Sequence, residues 1–210
     1  MYYIGIDQSL TNTGVVVLND LGECIETKKI ISKQKGIKRI YHIWRQVKDI
    51  ASFYCPCVFA TEGYSFNSVG RSRSITQAGE VKVAVELAIH MEEWLCVSYA
   101  SQSHRSKTIG WKPKKQSKNN GHTKVKEEIT KMVNDKYGTQ FNVKQSSGDH
   151  NLADAYTIAE ALRTDIVKLR KLQKQDKDKF LDYLKTKPPF KHLDGEDIKL
   201  LIKEVINDQC

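Results

Sequence analysis

The chain has 210 residues, 40% hydrophobic and 28% charged, the balance of a folded globular domain rather than of a disordered or collagen-like chain. Lysine and arginine outnumber aspartate and glutamate by 34 to 25, a net charge of +9 that favours a polyanionic partner such as nucleic acid. A stretch of about 18 apolar residues, the least that crosses a bilayer, is absent, and the five cysteines are odd in number and lack paired metal-ligand spacing, which excludes a disulfide scaffold and a zinc ribbon.

In chain order, Tyr2-Tyr3-Ile4-Gly5-Ile6 is a β-rich run that ends in Asp7. A polar turn then leads into Asn12-Thr13-Gly14-Val15-Val16-Val17, so the two runs are predicted to form a hairpin. A purely structural strand would favour another β-branched residue at position 7. The acid there either caps the turn by accepting backbone amides or serves chemistry. Gly22 to Ile31 is predicted as a third strand, completing an antiparallel meander. Ile37, Ile40, Trp44, Val47 and Ile50 recur at three- and four-residue steps and predict an amphipathic helix, closed by Pro56. Cys57-Val58-Phe59-Ala60 is a short apolar run of central-strand type, and it delivers a second acid, Glu62, at its end. Ile75, Ala78, Val81, Val85 and Ala88 predict a helix from about Ser74 to Trp94, and Leu95 to Ala100 another strand.

From Ser101 to Lys126 the chain is basic, with Arg105, Lys107, Lys112, Lys114, Lys115, Lys118, Lys124 and Lys126 and no acid. Gly110, Pro113 and Gly121 predict that this connection is a loop. Val125, Ile129, Met132 and Val133 mark a helix over 123–137. The last core helix, Asp149 to Leu162, is rich in small residues around Asp154. Beyond Arg163 the sequence is lysine-rich, is broken by Pro188-Pro189 and ends in a short amphipathic helix near 196–206. Two parts are therefore expected, a domain over 1–164 and a basic helical extension over 165–210.

The order of strands and helices, with acids on strand one, strand four and the last core helix, resembles the ribonuclease H-like fold: an α/β mixed five-stranded sheet flanked by helices. Within that fold it resembles the RuvC family of Holliday junction resolvases. The residues that carry the likeness are Ile4-Gly5-Ile6-Asp7 with Asn12-Thr13-Gly14, then Thr61-Glu62-Gly63 ahead of a helix containing Gly79, then Ala153-Asp154-Ala155.

The resemblance implies a structure-specific endonuclease that resolves four-way DNA junctions by paired, metal-dependent phosphodiester hydrolysis. In-line attack of water on a phosphodiester is helped by two divalent ions about 3.5–4 Å apart. Hard ions of the magnesium type take oxygen ligands, so two Mg2+ per site, with Mn2+ able to substitute, are expected on Asp7, Glu62 and Asp154. The family pattern places a further ligand three or four residues before the helix acid, where this chain has His150 and Asn151, with Asp149 one residue earlier. His150 is favoured as ligand or proton carrier, Asn151 is an oxygen donor, and Asp149 is held in reserve as either ligand or N-cap. Lys107 is the match for a lysine that assists near the scissile phosphate. Arg105, Lys112, Lys114, Lys115, Lys124 and Lys126 are expected on the DNA backbone, while Tyr64, Phe66, Arg71 and Arg73 follow Glu62 in a segment suited to the open centre of a junction.

Paired incisions imply a homodimer acting on branched DNA, with no membrane partner. The expected location is the cytoplasm; a compact lysine-rich resolvase is similar to those of bacterial viruses, for which this means the host cytoplasm. Two other readings compete. Actin-like and sugar-kinase-like ATPases also open with Gly-Ile-Asp and a Thr- and Gly-containing hairpin, and a catalytically weakened junction-binding protein would explain the missing acid before Asp154.

Overall fold

The computed structural model of the chain describes residues 1–63, 72–100, 102–113 and 121–206. Tyr2–Asp7 (β1) and Asn12–Asn19 (β2) form the predicted hairpin, and Cys24–Ile31 (β3) pairs antiparallel with β2. Cys57–Glu62 (β4) and Cys96–Tyr99 (β5) then join in parallel on the other side of β1, giving the order β3-β2-β1-β4-β5. Side chains alternate between faces along a strand. Ile4 and Ile6 of β1 therefore pack with Phe59 against the helices Ile37–Phe53 (α1) and Ser72–His90 (α2). Tyr3, Val58, Ala60, Val97 and Tyr99 face the opposite layer. The apolar stripe predicted for α1 is buried at Ile43, Val47 and Ile50; each such side chain contributes about 1.5–3 kcal/mol by leaving water.

The opposite layer is built from Ser103–Ile109 (α3), Gly121–Tyr137 (α4) and the 27-residue helix Asp149–Gln175 (α5). α5 lies directly on β1 and β2 because two glycines make room. A Cβ at Gly5 would overlap the carbonyl oxygen of Ala155 and the amide of Ala159, and one at Gly14 would overlap the carbonyl of Asn151. Ala155 and Ala159, one turn apart, supply the matching small surface on the helix.

Two features differ from expectation. The stretch predicted as a loop after β5 begins with α3, which buries His104, Thr108 and Ile109 and is closed by Gly110 in the left-handed conformation. A helix that turns polar residues inward leaves no apolar periodicity to read. The division expected between 164 and 165 falls inside α5, which continues unbroken to Gln175. Ile166 and Leu169 are buried in the same core, as are Phe180 and Leu184 of Lys177–Thr186 (α6), Phe190, and Leu201 just after Gly195–Leu200 (α7). The lysines of the tail sit on the outer side of helices whose inner side belongs to the main core. Among the described residues, no helix is long and apolar enough to cross a membrane.

Candidate active site

Register brings the strand acids together. β1 and β4 are parallel neighbours with Ile6 beside Thr61, so Asp7 and Glu62 are the next residues on adjacent strands and share the face covered by α5. On that helix Asp154 is 4% exposed. Burial, with the charges of Asp154 and then Glu62 close by, holds the carboxyl of Asp7 well above its ordinary range, while Arg105 and Lys126 pull it partly back. Three acids from distant points in sequence thus form one electrostatic unit.

Glu62 and Asp154 are held by partners of their own. The main-chain amide of Gln102 donates to Glu62 at 3.1 Å, and the side-chain amide of Gln8 donates to the Glu62 carbonyl. Asp154 accepts a two-bonded fork from Arg105, with Nε at 2.7 Å and Nη2 at 2.8 Å. The Arg105 guanidinium is backed by the ring of the buried Trp111, 5.8 Å from its centroid. As the chain stands, among the described residues no three histidine, cysteine or acidic side chains are gathered closely enough to hold one ion; both oxygens of Asp154 are engaged by Arg105. The donor set nevertheless fits a hard divalent cation, because burial and the charges of Asp154 and Glu62 raise the proton affinity of Asp7, and added positive charge at the oxygens relieves it.

The other candidates divide. His150 stands beside the cluster, where burial and then Lys126 keep its ring below the ordinary pKa; Nε2 lies 2.8 Å from Lys126 Nζ, and Nδ1 is buried with no hydrogen-bond partner. Asn151 is buried, and its amide donates to the carbonyl of Asn12, tying α5 to the hairpin. Asp149 points elsewhere: burial raises its pKa, but a 2.7 Å bond from Lys29 and a 2.8 Å bond from the Asn142 amide outweigh this and hold the carboxyl low. Lys107 is not brought to the carboxylates. It ion-pairs with Asp165, three helical turns beyond Asp154, because Lys107 and Arg105 lie two residues apart on α3 and so face opposite ways.

Lys126 is half-buried and acts on Asp7 and His150, while Lys112 and Lys124 are exposed. Tyr64, Phe66, Arg71, Lys114 and Lys115 lie outside the described residues, and Arg73 falls in the first turn of α2 with its side chain outside them. One residue the sequence reading passed over belongs to the site. His104, on α3, is fully buried with Nε2 3.7 Å from Glu62 Oε1 and Nδ1 2.8 Å from Thr157 Oγ1. Its only sequence signal is a histidine five residues past a strand end in a run otherwise read as a solvated loop.

The chain matches no protein-family model and no curated protein. Solved structures do match. A Thermus thermophilus RuvC in complex with a Holliday junction substrate superposes with a TM-score of 0.57 at 21% identity, covering 77% of this chain and 91% of that one. A second Thermus thermophilus RuvC structure gives a TM-score of 0.54 at 21% identity, covering 77% and 92%. The chain therefore has the RuvC fold, the ribonuclease H-like mixed sheet that the order of its strands and acids implies.

Proposed function

We propose that this chain is a divalent-metal-dependent endonuclease that resolves four-way DNA junctions by paired phosphodiester hydrolysis, acting as a homodimer. The observation that carries the reading is the convergence of Asp7, Glu62 and Asp154 at one end of the sheet, with Asp7 held above its ordinary carboxyl range by burial and by the other two. The likeness to a structure that contains a Holliday junction substrate supports the substrate class.

Asp7, Glu62 and Asp154 would hold Mg2+, or Mn2+ in its place, with His150 and Asn151 beside them, and the bound metal would supply an activated water and stabilisation of the leaving oxygen. Arg105 has a separate task. Its fork matches a phosphate as well as a carboxylate, so it passes from Asp154 to the scissile phosphate when DNA arrives, and Trp111 keeps water from its far face. Lys126 offsets negative charge at the site from α4, and exposed Lys112 and Lys124 take backbone phosphates, which position without reading sequence. Asp149 and Lys107 stay with their own ion pairs and support the scaffold. Two-fold related incisions require two copies of the site, hence the dimer.

The test is cleavage of a labelled synthetic four-way junction in Mg2+ and in Mn2+, beside a linear duplex and an RNA–DNA hybrid of the same sequence. Symmetric paired nicks confined to the junction are expected. Equal cutting of all three substrates, or none of any, overturns the junction assignment.

A further inference from the structure

His104 belongs to the first turn of α3 and its side chain is fully buried. Its Nδ1 is 2.8 Å from Thr157 Oγ1, and that hydroxyl donates to the Asp154 carbonyl oxygen at 2.8 Å. A hydroxyl has one hydrogen to give. With that hydrogen spent on Asp154, the contact to Nδ1 forms only if the imidazole donates. In the neutral ring the proton is therefore on Nδ1, and Nε2 carries a lone pair. Nε2 has no hydrogen-bond partner, and it faces Glu62 Oε1 across 3.7 Å.

A lone pair and a carboxylate oxygen cannot satisfy each other, and a buried polar atom left without a partner is costly. Both accept the same third party, a cation between them. Ligand atoms about 2.1 Å from an octahedral ion lie about 3.0 Å apart when adjacent and about 4.2 Å apart when opposite. The observed 3.7 Å lies between the two, and a relative shift of about 0.7 Å brings the pair to the adjacent spacing. His150, the other imidazole at the site, has its Nε2 against Lys126 and its Nδ1 buried without a partner, so it is the rival donor that the experiment has to separate.

We infer that His104 Nε2 is a direct ligand, with Glu62, of a divalent cation in this site. The assignment rests on the metal-site reading above and sharpens it: α3 supplies a nitrogen donor where α5 has no acid one turn before Asp154. Mg2+ demands hard oxygen ligands and dehydrates reluctantly, so a nitrogen ligand shifts the preference of the site toward Mn2+ relative to Mg2+. Thr157 is a positioning residue that fixes the tautomer. Ion entry requires the Arg105 fork to turn away from Asp154.

The experiment loads the full chain with one equivalent of Mn2+ and reads nitrogen hyperfine coupling by pulsed electron paramagnetic resonance, alongside calorimetric titration with Mn2+ and Mg2+. The parent shows imidazole nitrogen coupling, His150→Gln keeps it, and His104→Gln loses it. In His104→Gln the Mn2+ affinity falls about tenfold or more, while the Mg2+ affinity changes by less. Bound Mn2+ without nitrogen coupling in the parent overturns the inference and leaves the carboxylate site standing; so does coupling that survives in His104→Gln or vanishes in His150→Gln. Failure of the parent to bind either ion overturns the metal site as well. The parent and His150→Gln spectra decide the matter even if His104→Gln does not fold.

Discussion

Arg105 lays its guanidinium against Asp154 with one bond to each carboxylate oxygen, at 2.7 and 2.8 Å. Both side chains are largely sequestered, 13% and 6% exposed, so the pair is the internal counterion of the acid cluster. Removing one partner of such a pair strands the other charge and costs about 3–5 kcal/mol. Arg105→Gln is expected to lose stability of that order in urea without divalent ions, and Mn2+ is expected to stabilise it more than it stabilises the parent. Unchanged unfolding in the absence of metal would show that the fork carries no such burden.

Asp7 predicts the opposite sign. Its carboxyl is held well above the ordinary carboxyl range by burial and then by Asp154 and Glu62. The folded chain thus holds this proton more tightly than the unfolded chain does. The stability contributed is full below the ordinary carboxyl value and is lost as pH rises through the raised one. At neutral pH without metal the ionised Asp7 is a liability. Asp7→Asn should therefore melt higher by about 2–4 °C, on the order of 1 kcal/mol. The advantage should disappear near pH 3, where the parent is protonated too. Thermal melts of both proteins at the two pH values, with a chelator present, check the sign.

How much of this was legible in the sequence depended on how each residue announces itself. Asp7 and Glu62 stand out because an acid interrupts or ends an apolar strand, and pattern alone places Asp154 on a helix of small residues. Strand adjacency, which makes Asp7 and Glu62 neighbours, is not written in either strand's own residues; the parallel pairing of β1 and β4 supplies it. The segment 103–109 was opaque because its buried residues include the polar His104 and Thr108, whose Nδ1 and hydroxyl are held by Thr157 and by the His104 carbonyl, and which leave no apolar stripe. Gly110, in the left-handed conformation just past Ile109, was the readable signal of a helix end. The run Leu162, Ile166, Leu169 was likewise readable, at steps of four and three, as continuation of α5 past 164; the surrounding lysines masked it.

Gly5 is where sheet and α5 come closest. A methyl group there meets the carbonyl oxygen of Ala155 and the amide nitrogen of Ala159, both backbone atoms that cannot rotate away. Gly5→Ala should lose about 3 kcal/mol, at the upper end of overpacking, and should weaken Mn2+ binding because α5 carries Asp154. Calorimetric unfolding and a metal titration of the same variant read the two effects separately. A variant that unfolds and binds like the parent would mean that the helix sits farther from the sheet.

Asp165 is buried and receives Tyr99 Oη at 2.6 Å, Tyr183 Oη at 2.9 Å and the ammonium of Lys107. This cluster ties α3, α5, α6 and β5 together at a distance from the acids of the site. Lys107→Met should cost about 2–3 kcal/mol, because Asp165 keeps two of its three donors. Junction cleavage by the folded variant should stay within a few-fold of the parent. A loss of a hundredfold or more at unchanged stability would return Lys107 to the scissile phosphate.

The central claim is that Asp7, Glu62 and Asp154 form a single hydrolytic site for branched DNA. Its most direct test is single-turnover cleavage of a four-way junction in Mn2+ by the parent and by Asp7→Asn, with junction binding measured on both. Paired nicks by the parent, at least a thousandfold slower cutting by Asp7→Asn (about 4 kcal/mol of barrier) and undiminished junction binding are predicted. Cleavage by Asp7→Asn at the parent's rate would contradict the account.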